Sequence, residues 1–359
     1  MSEATKTLTL KKTQGWKLPT SVLDAALADD ENAMIAGCMD GVYRLQFEPH
    51  QEELLYQHES YVSSVGLLKD NQIVSAGYDG GLRWFDVEQR QLLRTTRAHD
   101  FWSWDMSVSA DRSRIASVTG QYLAGSYKYE PQPEKEPSLK VFAADSGDLL
   151  HQLPHIPSTQ AVAISPDNRF VAAGNLMGEV RVFDLDNGQM VANWTTPDFT
   201  SWGIIKSHCY LGGIFDLQFT PDSRSLLLCG MGPMRDPMAG NGRQLWQRWD
   251  WKKETPTLSD QTHQGQSGEG LMETLAIHPR SEHFAMGGRL RGGDWNLALF
   301  DLDSGDRIAS AKTGFRITRV QYTADGKSLF VVGTQGQPKP KKDDSPLPPF
   351  GRVERYEIG

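Results

Sequence analysis

The sequence of 359 residues lacks the features that mark several large classes of protein. Cysteine is scarce and scattered, with only Cys38, Cys209 and Cys229, so no disulfide framework is predicted. No segment approaches the ~18 consecutive apolar residues of a membrane-spanning helix. No apolar run follows the lysines of residues 1–20, as it would in a secretory leader. These absences predict a cytoplasmic protein that does not enter a membrane.

Positive charge is also in short supply. Lys and Arg number 37 against 45 Asp and Glu, which gives a formal net charge of −8. Because nucleic-acid binding relies on clustered Lys and Arg that contact phosphates, this balance disfavours a nucleic-acid partner. The hydrophobic fraction of 38% is large enough for a substantial core and too large for a disordered chain.

What the sequence does contain is an internal repeat. Seven strand-like runs end in an aromatic residue followed by a small or acidic one: Phe47-Glu48, Phe85-Asp86, Phe142-Ala143, Phe183-Asp184, Trp249-Asp250, Phe300-Asp301 and Tyr356-Glu357. The shorter spacings, such as the 38 positions from Phe47 to Phe85, match the ~40–45-residue period of a four-stranded propeller blade. Longer spacings require insertions.

Turn signals lie upstream of the aromatic residues and confirm the register of the repeat. Ser165-Pro166-Asp167, Thr220-Pro221-Asp222 and Thr323-Ala324-Asp325 each lead into a short apolar run typical of a strand. Helical periodicity with capping residues is missing from the sequence. The pattern therefore predicts an all-β protein, a seven-bladed β-propeller of four-stranded antiparallel blades.

The whole chain resembles the WD-repeat family in a divergent bacterial style. That family places a histidine before the first strand of a blade, and His58, His99 and His155 each stand 12 residues before a turn aspartate. Asp79 matches the aspartate of the family's buried His–Asp–Ser–Trp hydrogen-bond chain. The resemblance implies structural roles for these four residues. The Trp of the family's Trp-Asp pair is Phe in five of the repeats, so the hydrogen-bond chain is incomplete there.

The N-terminal segment is predicted to close the ring. Residues 5–11 alternate polar and apolar side chains as a half-buried strand does, and they have no partner unless they complete the last blade. Such pairing removes the open edges of a propeller. We therefore predict one domain over residues 1–359, with blades near 20–57, 61–97, 101–153, 157–196, 213–258, 271–311 and 315–359 plus 5–12.

All the long insertions are predicted to lie on one face of the ring. Four join the second strand of a blade to the third, and two join successive blades: 120–137, 231–242, 289–294 and 334–350, then 197–213 and 259–270. Neutral growth would scatter insertions over both faces, whereas binding residues commonly sit on loops of a rigid scaffold. This asymmetry points to a docking face.

Tyr, Trp, Met and Arg, the residue types enriched at protein interfaces, occur in these loops and in the short connections beside them. The predicted partner-binding residues are Tyr61, Trp102, Tyr127, Met234, Arg235, Met238, Arg289, Arg291, Trp295 and Arg316. Packing of the loops against each other is the competing interpretation of any single one of them.

The sequence carries none of the common catalytic or metal-binding patterns. The sequence contains no Cys-x-x-Cys and no His-Glu-x-x-His, and its glycine pairs precede no helix that could receive a phosphate. The adjacent His208-Cys209 pair is interpreted as incidental. We therefore predict no catalytic, cofactor-binding or metal-binding residues and no cofactor. The predicted function is a non-catalytic scaffold for one or more proteins or peptides. The alternative is an enzyme or small-ligand binder at the channel mouth, of lactonase-like or quinone-dependent type. The oligomeric state stays open.

Overall fold

The computed structural model describes residues 7–121, 134–156, 158–199, 213–236, 241–266, 269–336, 338–339 and 347–359. These residues form seven blades of four antiparallel strands in a ring, which confirms the predicted all-β propeller. The one helical element within the described ranges is a short 3-10 turn, Pro197–Phe199. No helix in this part of the chain has the length and apolar character needed to cross a membrane.

The chain begins with β1 (Leu10–Leu18) and then builds the blades in order, each from the channel outward. Blade 1 contains β2 (Val22–Leu27), β3 (Ala33–Cys38), β4 (Val42–Gln46) and β5 (Gln51–Tyr56). Blade 2 contains β6 (Val62–Leu67), β7 (Gln72–Gly77), β8 (Gly81–Asp86) and β9 (Gln91–Arg97). Blade 3 contains β10 (Asp105–Val108), β11 (Arg114–Val118), β12 (Leu139–Ala143) and β13 (Leu149–Leu153).

The remaining blades follow the same plan. Blade 4 contains β14 (Thr159–Ile164), β15 (Phe170–Asn175), β16 (Glu179–Asp184) and β17 (Met190–Thr195). Blade 5 contains β18 (Gly213–Phe219), β19 (Ser225–Asp236), β20 (Asn241–Asp250) and β21 (Thr257–Gln261). Blade 6 contains β22 (Glu269–Ile277), β23 (His283–Gly292), β24 (Leu297–Asp301) and β25 (Arg307–Ala311). Blade 7 contains β26 (Arg316–Tyr322), β27 (Ser328–Thr334) and β28 (Gly351–Ile358).

β1 completes blade 7 as its outer strand. It pairs antiparallel with β28, with Leu10 opposite Ile358 and Leu18 opposite Gly351. The predicted closure of the ring is therefore confirmed. Its predicted bounds, residues 5–12, are wrong, because the strand spans residues 10–18.

Apolar side chains beyond residue 12 explain this shift. Leu18 is fully buried, and the ring of Trp16 lies 4.5 Å from that of Phe47 and 6.3 Å from that of Phe330. These contacts anchor β1 between blade 7 and blade 1. The alternation of residues 5–11 pointed to a strand but not to the part of the segment that buries the most surface.

Successive strands of a blade run in opposite directions, so successive connections lie on opposite faces of the ring. Connections between the second and third strands of a blade, and connections between blades, emerge on one side, which we call the loop face. The opposite side, the turn face, carries the first-to-second and third-to-outer turns. Of the predicted insertions, most of 120–137 and 197–213 and about half of 334–350 lie outside the described residues.

The predicted loop 231–242 is largely an extended hairpin. β19 and β20 continue their pairing past the blade, with Met231 opposite Gln244 and Asp236 opposite Asn241. Arg243 of β20 also pairs with Glu269 of β22, so blades 5 and 6 share one eight-stranded sheet. In the same way, residues 289–292 belong to strand β23 rather than to a loop.

The seven first-to-second turns on the turn face share one backbone feature, although the turn of blade 2 differs from the others in that Asp70 also has a positive φ. The fourth residue of each turn has a positive φ: Glu31, Asn71, Arg112, Asn168, Ser223, Ser281 and Gly326. In four turns a Ser or Thr hydroxyl donates to the Asp two residues later: Ser109 to Asp111, Ser165 to Asp167, Thr220 to Asp222 and Thr323 to Asp325. This hydroxyl–carboxylate pair replaces backbone hydrogen bonds that a tight turn cannot make.

Candidate protein-docking site

Five aromatic side chains form a cluster on the loop face of blades 2 and 3. Tyr61 precedes β6, Tyr78 joins β7 to β8, and Phe101, Trp102 and Trp104 lie between β9 and β10. We call these five residues the aromatic platform. The indole of Trp102 stacks on Tyr78 with centroids 4.7 Å apart and on Phe101 at 5.1 Å. Tyr61 and Trp104 extend the cluster through contacts of 5.9 and 5.5 Å with Tyr78.

The platform is exposed but firmly held. Tyr61 and Trp102 are 42% and 40% exposed, which is unusual for rings of this size in a folded protein. The backbone carbonyl of Trp102 accepts a hydrogen bond from the Thr119 hydroxyl at 2.7 Å, and the indole N–H of Trp104 donates to the Gly120 carbonyl at 2.9 Å. Stacking and these bonds hold the cluster in place, so the exposed ring faces are preorganised.

An ion pair between Arg316 and Glu273 also lies at the end of the channel on the loop face. Arg316, the first residue of β26, donates through Nε to both carboxylate oxygens of Glu273, at 2.7 and 2.8 Å. The side chain of Glu273 is 9% exposed, whereas that of Arg316 is 50% exposed. Burial raises the pKa of Tyr78 and the positive charge of Arg316 opposes that rise, as expected if the ion pair faces the platform.

The other predicted docking residues divide into three groups. Arg289 is exposed on β23. Trp295 is a correction: it is 4% exposed, its ring lies 6.0 Å from Phe300, and the Arg307 guanidinium covers it at 5.5 Å. A side chain buried in this way belongs to the core and offers a partner no surface. Tyr127 and Met238 lie outside the described residues, and the side chains of Met234, Arg235 and Arg291 are likewise not described.

The predicted structural histidines bond within their blades. His58 places Nδ1 3.1 Å from both carboxylate oxygens of Asp79 and Nε2 2.7 Å from the Ser75 hydroxyl. The Tyr56 hydroxyl lies 2.8 Å from that of Ser75 and ends the chain, in the role that the family resemblance assigns to Trp. Because Tyr56 also stacks on Phe85 at 4.7 Å, it compensates for the Phe that occupies the Trp position.

His99 and His155 are more deeply buried. Nε2 of His99 lies 2.9 Å from the Ser117 hydroxyl, and Nε2 of His155 lies 3.1 Å from the Ala173 carbonyl. Burial lowers the pKa of His99 to about 3 and that of His155 to about 4, so both are neutral at physiological pH. The three histidines occupy separate blades and do not converge on one ligand.

Carboxylates in the channel tie neighbouring blades together. Asp24, Asp105 and Asp216, on the inner strands of blades 1, 3 and 5, each accept a hydrogen bond from a backbone amide of the next blade, at 2.8–2.9 Å. Arg319 of β26 lies 3.3 Å from an oxygen of Asp24 and 3.8 Å from one of Asp216. These four residues are the channel network.

The channel network contains three carboxyl groups and one guanidinium. Burial, reinforced by the charge of Asp216, raises the pKa of Asp105 to about 7, and burial raises that of Asp216 to about 6 despite the opposing charge of Arg319. The protonation state of the channel therefore changes near neutral pH.

No family model matches the chain. Similar proteins include telomerase protein component 1 of Rattus norvegicus, 29% identical over 185 residues, which are 50% of this chain and 6% of that protein. Apoptotic protease-activating factor 1 of Rattus norvegicus is 22% identical over 204 residues, 56% of this chain and 15% of that protein. Ribosome biogenesis protein YTM1 of Coprinopsis cinerea is 30% identical over 132 residues, 36% of this chain and 27% of that protein. The matches thus span a minor part of each relative.

Proposed function

We propose, since the chain is a seven-bladed β-propeller of the WD-repeat family, that it is a non-catalytic scaffold which docks a protein partner on its loop face. The observation that carries the proposal is the aromatic platform. Trp102 and Tyr61 keep about two-fifths of their surface exposed although they are held rigidly by stacking. Exposed, preorganised aromatic rings are typical anchors of protein interfaces.

Arg316 adds a polar contact next to the platform. Only its Nε is bonded to Glu273, and half of its side chain is exposed, so the guanidinium retains donors that point to solvent. Because Glu273 neutralises the charge, the mouth suits a segment with an apolar anchor and backbone or side-chain acceptors. It does not require a strongly acidic partner.

The relatives support protein partners in general. One of them is named as a component of telomerase, which describes a part of an assembly. Two described cysteines, Cys38 and Cys229, are free and buried, which is compatible with a reducing location such as the cytoplasm. We propose the cytoplasm on that basis.

Photo-crosslinking tests whether the partner contacts the loop face. A photo-reactive residue at position 61 of the tagged full chain should crosslink to the partner, whereas the same residue at position 304, on the turn face, should not. Trp102→Ala should weaken capture about 30-fold, since loss of a central anchor costs about 2 kcal/mol of binding free energy.

Matched controls separate docking from folding. Asn187→Ala and Ser304→Ala, in exposed turns of the opposite face, should leave capture unchanged, and all variants should keep the wild-type melting temperature within a few degrees. Capture that survives Trp102→Ala but is lost with the turn-face variants would overturn the proposed site.

A further inference from the structure

The turn between β22 and β23 departs from the turn chemistry of the rest of the ring. In the other blades the third residue of the turn is Asp: Asp30, Asp70, Asp111, Asp167, Asp222 and Asp325. In blade 6 it is Arg280, and His278 occupies the position where four other turns place Ser or Thr. His283 stands at the start of β23, at the end of the same turn. Five other turns, those of blades 1, 3, 4, 5 and 7, reach this conformation without histidine, so the geometry of the turn does not account for the pair.

The two imidazoles and a carboxylate converge. One nitrogen of His278, one nitrogen of His283 and one oxygen of Glu282 all lie within 4.8 Å of one another. The two rings are in contact, with centroids 4.4 Å apart, and they are 1% and 4% exposed. Glu282 is exposed, and it accepts a hydrogen bond from Arg280 at 2.9 Å. One nitrogen from each of two buried imidazoles therefore lies near a carboxylate oxygen of an exposed side chain on the turn face.

Neighbouring groups orient the rings. The Tyr322 hydroxyl lies 2.8 Å from Nδ1 of His283 and orients that ring. The Arg280 amide donates to Nδ1 of His278 over a long 3.2 Å, and a metal at that nitrogen would replace this bond. A hydrogen bond at the outer nitrogen of a ligating histidine is a common feature of metal sites, because it fixes the tautomer and the ring orientation.

We propose that His278, Glu282 and His283 bind a divalent transition-metal ion, Zn²⁺ in the first instance, on the turn face of blade 6. Two imidazoles and one carboxylate match the ligand preference of Zn²⁺, with water in the fourth position. Ca²⁺ and Mg²⁺ prefer a full set of oxygen ligands and are excluded by this donor set. Donors of a tetrahedral Zn²⁺ lie about 3.3 Å apart, so each pair of donors must approach by at most about 1.5 Å.

The experiment titrates the full chain, freed of metal by a chelator, with Zn²⁺ in a calorimeter. One ion should bind per chain, and the melting temperature should rise with Zn²⁺ concentration because the ion binds only the folded turn. Ca²⁺ at the same concentrations should give neither signal. Glu282→Gln, which replaces an exposed side chain and leaves the core intact, should weaken Zn²⁺ binding at least about 10-fold. Tyr322→Phe should weaken it about 10- to 100-fold through the orientation of His283.

His50→Gln and His208→Gln serve as controls for adventitious binding, since neither residue belongs to the turn. The proposal is overturned if the wild-type chain binds no Zn²⁺ at micromolar concentrations, if Ca²⁺ binds equally well, or if binding survives both Glu282→Gln and His283→Gln. Loss of the bound ion in His208→Gln alone would also overturn it, since the ion would then belong to the His208-Cys209 pair.

Discussion

Replacement of Arg319 by Gln would test the electrostatics of the channel. Arg319 is the cation of the channel network, placed 3.3 Å from Asp24 and 3.8 Å from Asp216. Removal of one partner from a buried ion pair costs roughly 3–5 kcal/mol, because the remaining charges stay buried without compensation. The Arg319 side chain is about one-third exposed, so solvent screening lowers the expectation to the bottom of that range. We expect the variant to lose about 3 kcal/mol of unfolding free energy at pH 8.

The loss should depend on pH in a defined direction. The pKa values of Asp105 and Asp216, about 7 and about 6 in the folded protein, lie above the unfolded value of 3.8. Without Arg319 they rise further. The folded state therefore takes up protons that the unfolded chain does not, and the unfolding free energy of the variant should increase, relative to wild type, as the pH falls from 8 to 5. The deficit should shrink to about 1 kcal/mol at pH 5, which lies below the folded-state pKa values of Asp105 and Asp216.

Urea unfolding followed by tryptophan fluorescence at pH 8 and pH 5 measures both quantities. The double variant Arg319→Gln/Asp216→Asn removes one cation and one anion together and should recover part of the loss at pH 8. Arg280→Gln, which breaks an exposed ion pair with Glu282, is the matched control and should change stability by less than about 1 kcal/mol. Equal stabilities of Arg319→Gln and wild type at pH 8, or a deficit that is the same at both pH values, would refute the reasoning.

Two further changes test the closure of the ring and the buried hydrogen-bond chain. Leu18→Ala should cost about 2–5 kcal/mol in urea unfolding, since Leu18 is fully buried where β1 meets blade 1; a loss below about 1 kcal/mol would contradict the observed position of β1. His58→Ala should cost on the order of 1–3 kcal/mol because it leaves Asp79 and Ser75 without their shared partner. The thermal midpoint measures this second loss, and an unchanged midpoint would show that the chain does not stabilise blade 2.

Much of the fold could be predicted because each repeat carries its own local sequence signals. An aromatic residue at the end of the third strand marks each blade separately, and a Pro-Asp or Ala-Asp turn before the second strand marks most of them, so insertions did not disturb the count. The histidine register also led to His58 and Asp79, which do contact each other. The partner Tyr56 was missed because it reaches blade 2 from the outer strand of blade 1. No pattern within a single repeat encodes that contact.

The errors have a common physical origin in contacts between distant segments. Trp295 follows an apparent loop, but its burial depends on Phe300 and on the Arg307 guanidinium. Residues 231–242 look like an insertion because no periodic signal shows that a hairpin extends beyond its blade. The convergence of His278 and His283 fits neither Cys-x-x-Cys nor His-Glu-x-x-His, since the two histidines lie at the two ends of a turn. Comparison of the seven turns with one another was the signal that could have found it.

Ring closure has a consequence for the order in which the molecule is made. Leu18 and Gly351, which end opposite each other in the final pair of strands, are 333 positions apart in the chain. A ribosome that adds roughly 5–20 residues per second therefore produces β1 about 17 to 67 seconds before its partner strand exists. During that interval the edge of β1 that later pairs with β28 is open and Trp16 lacks its contact with Phe330, a state that invites wrong pairing. The pairing of β1 with β28, which closes the ring, is thus also the last contact to form. Its large sequence separation makes its formation slow.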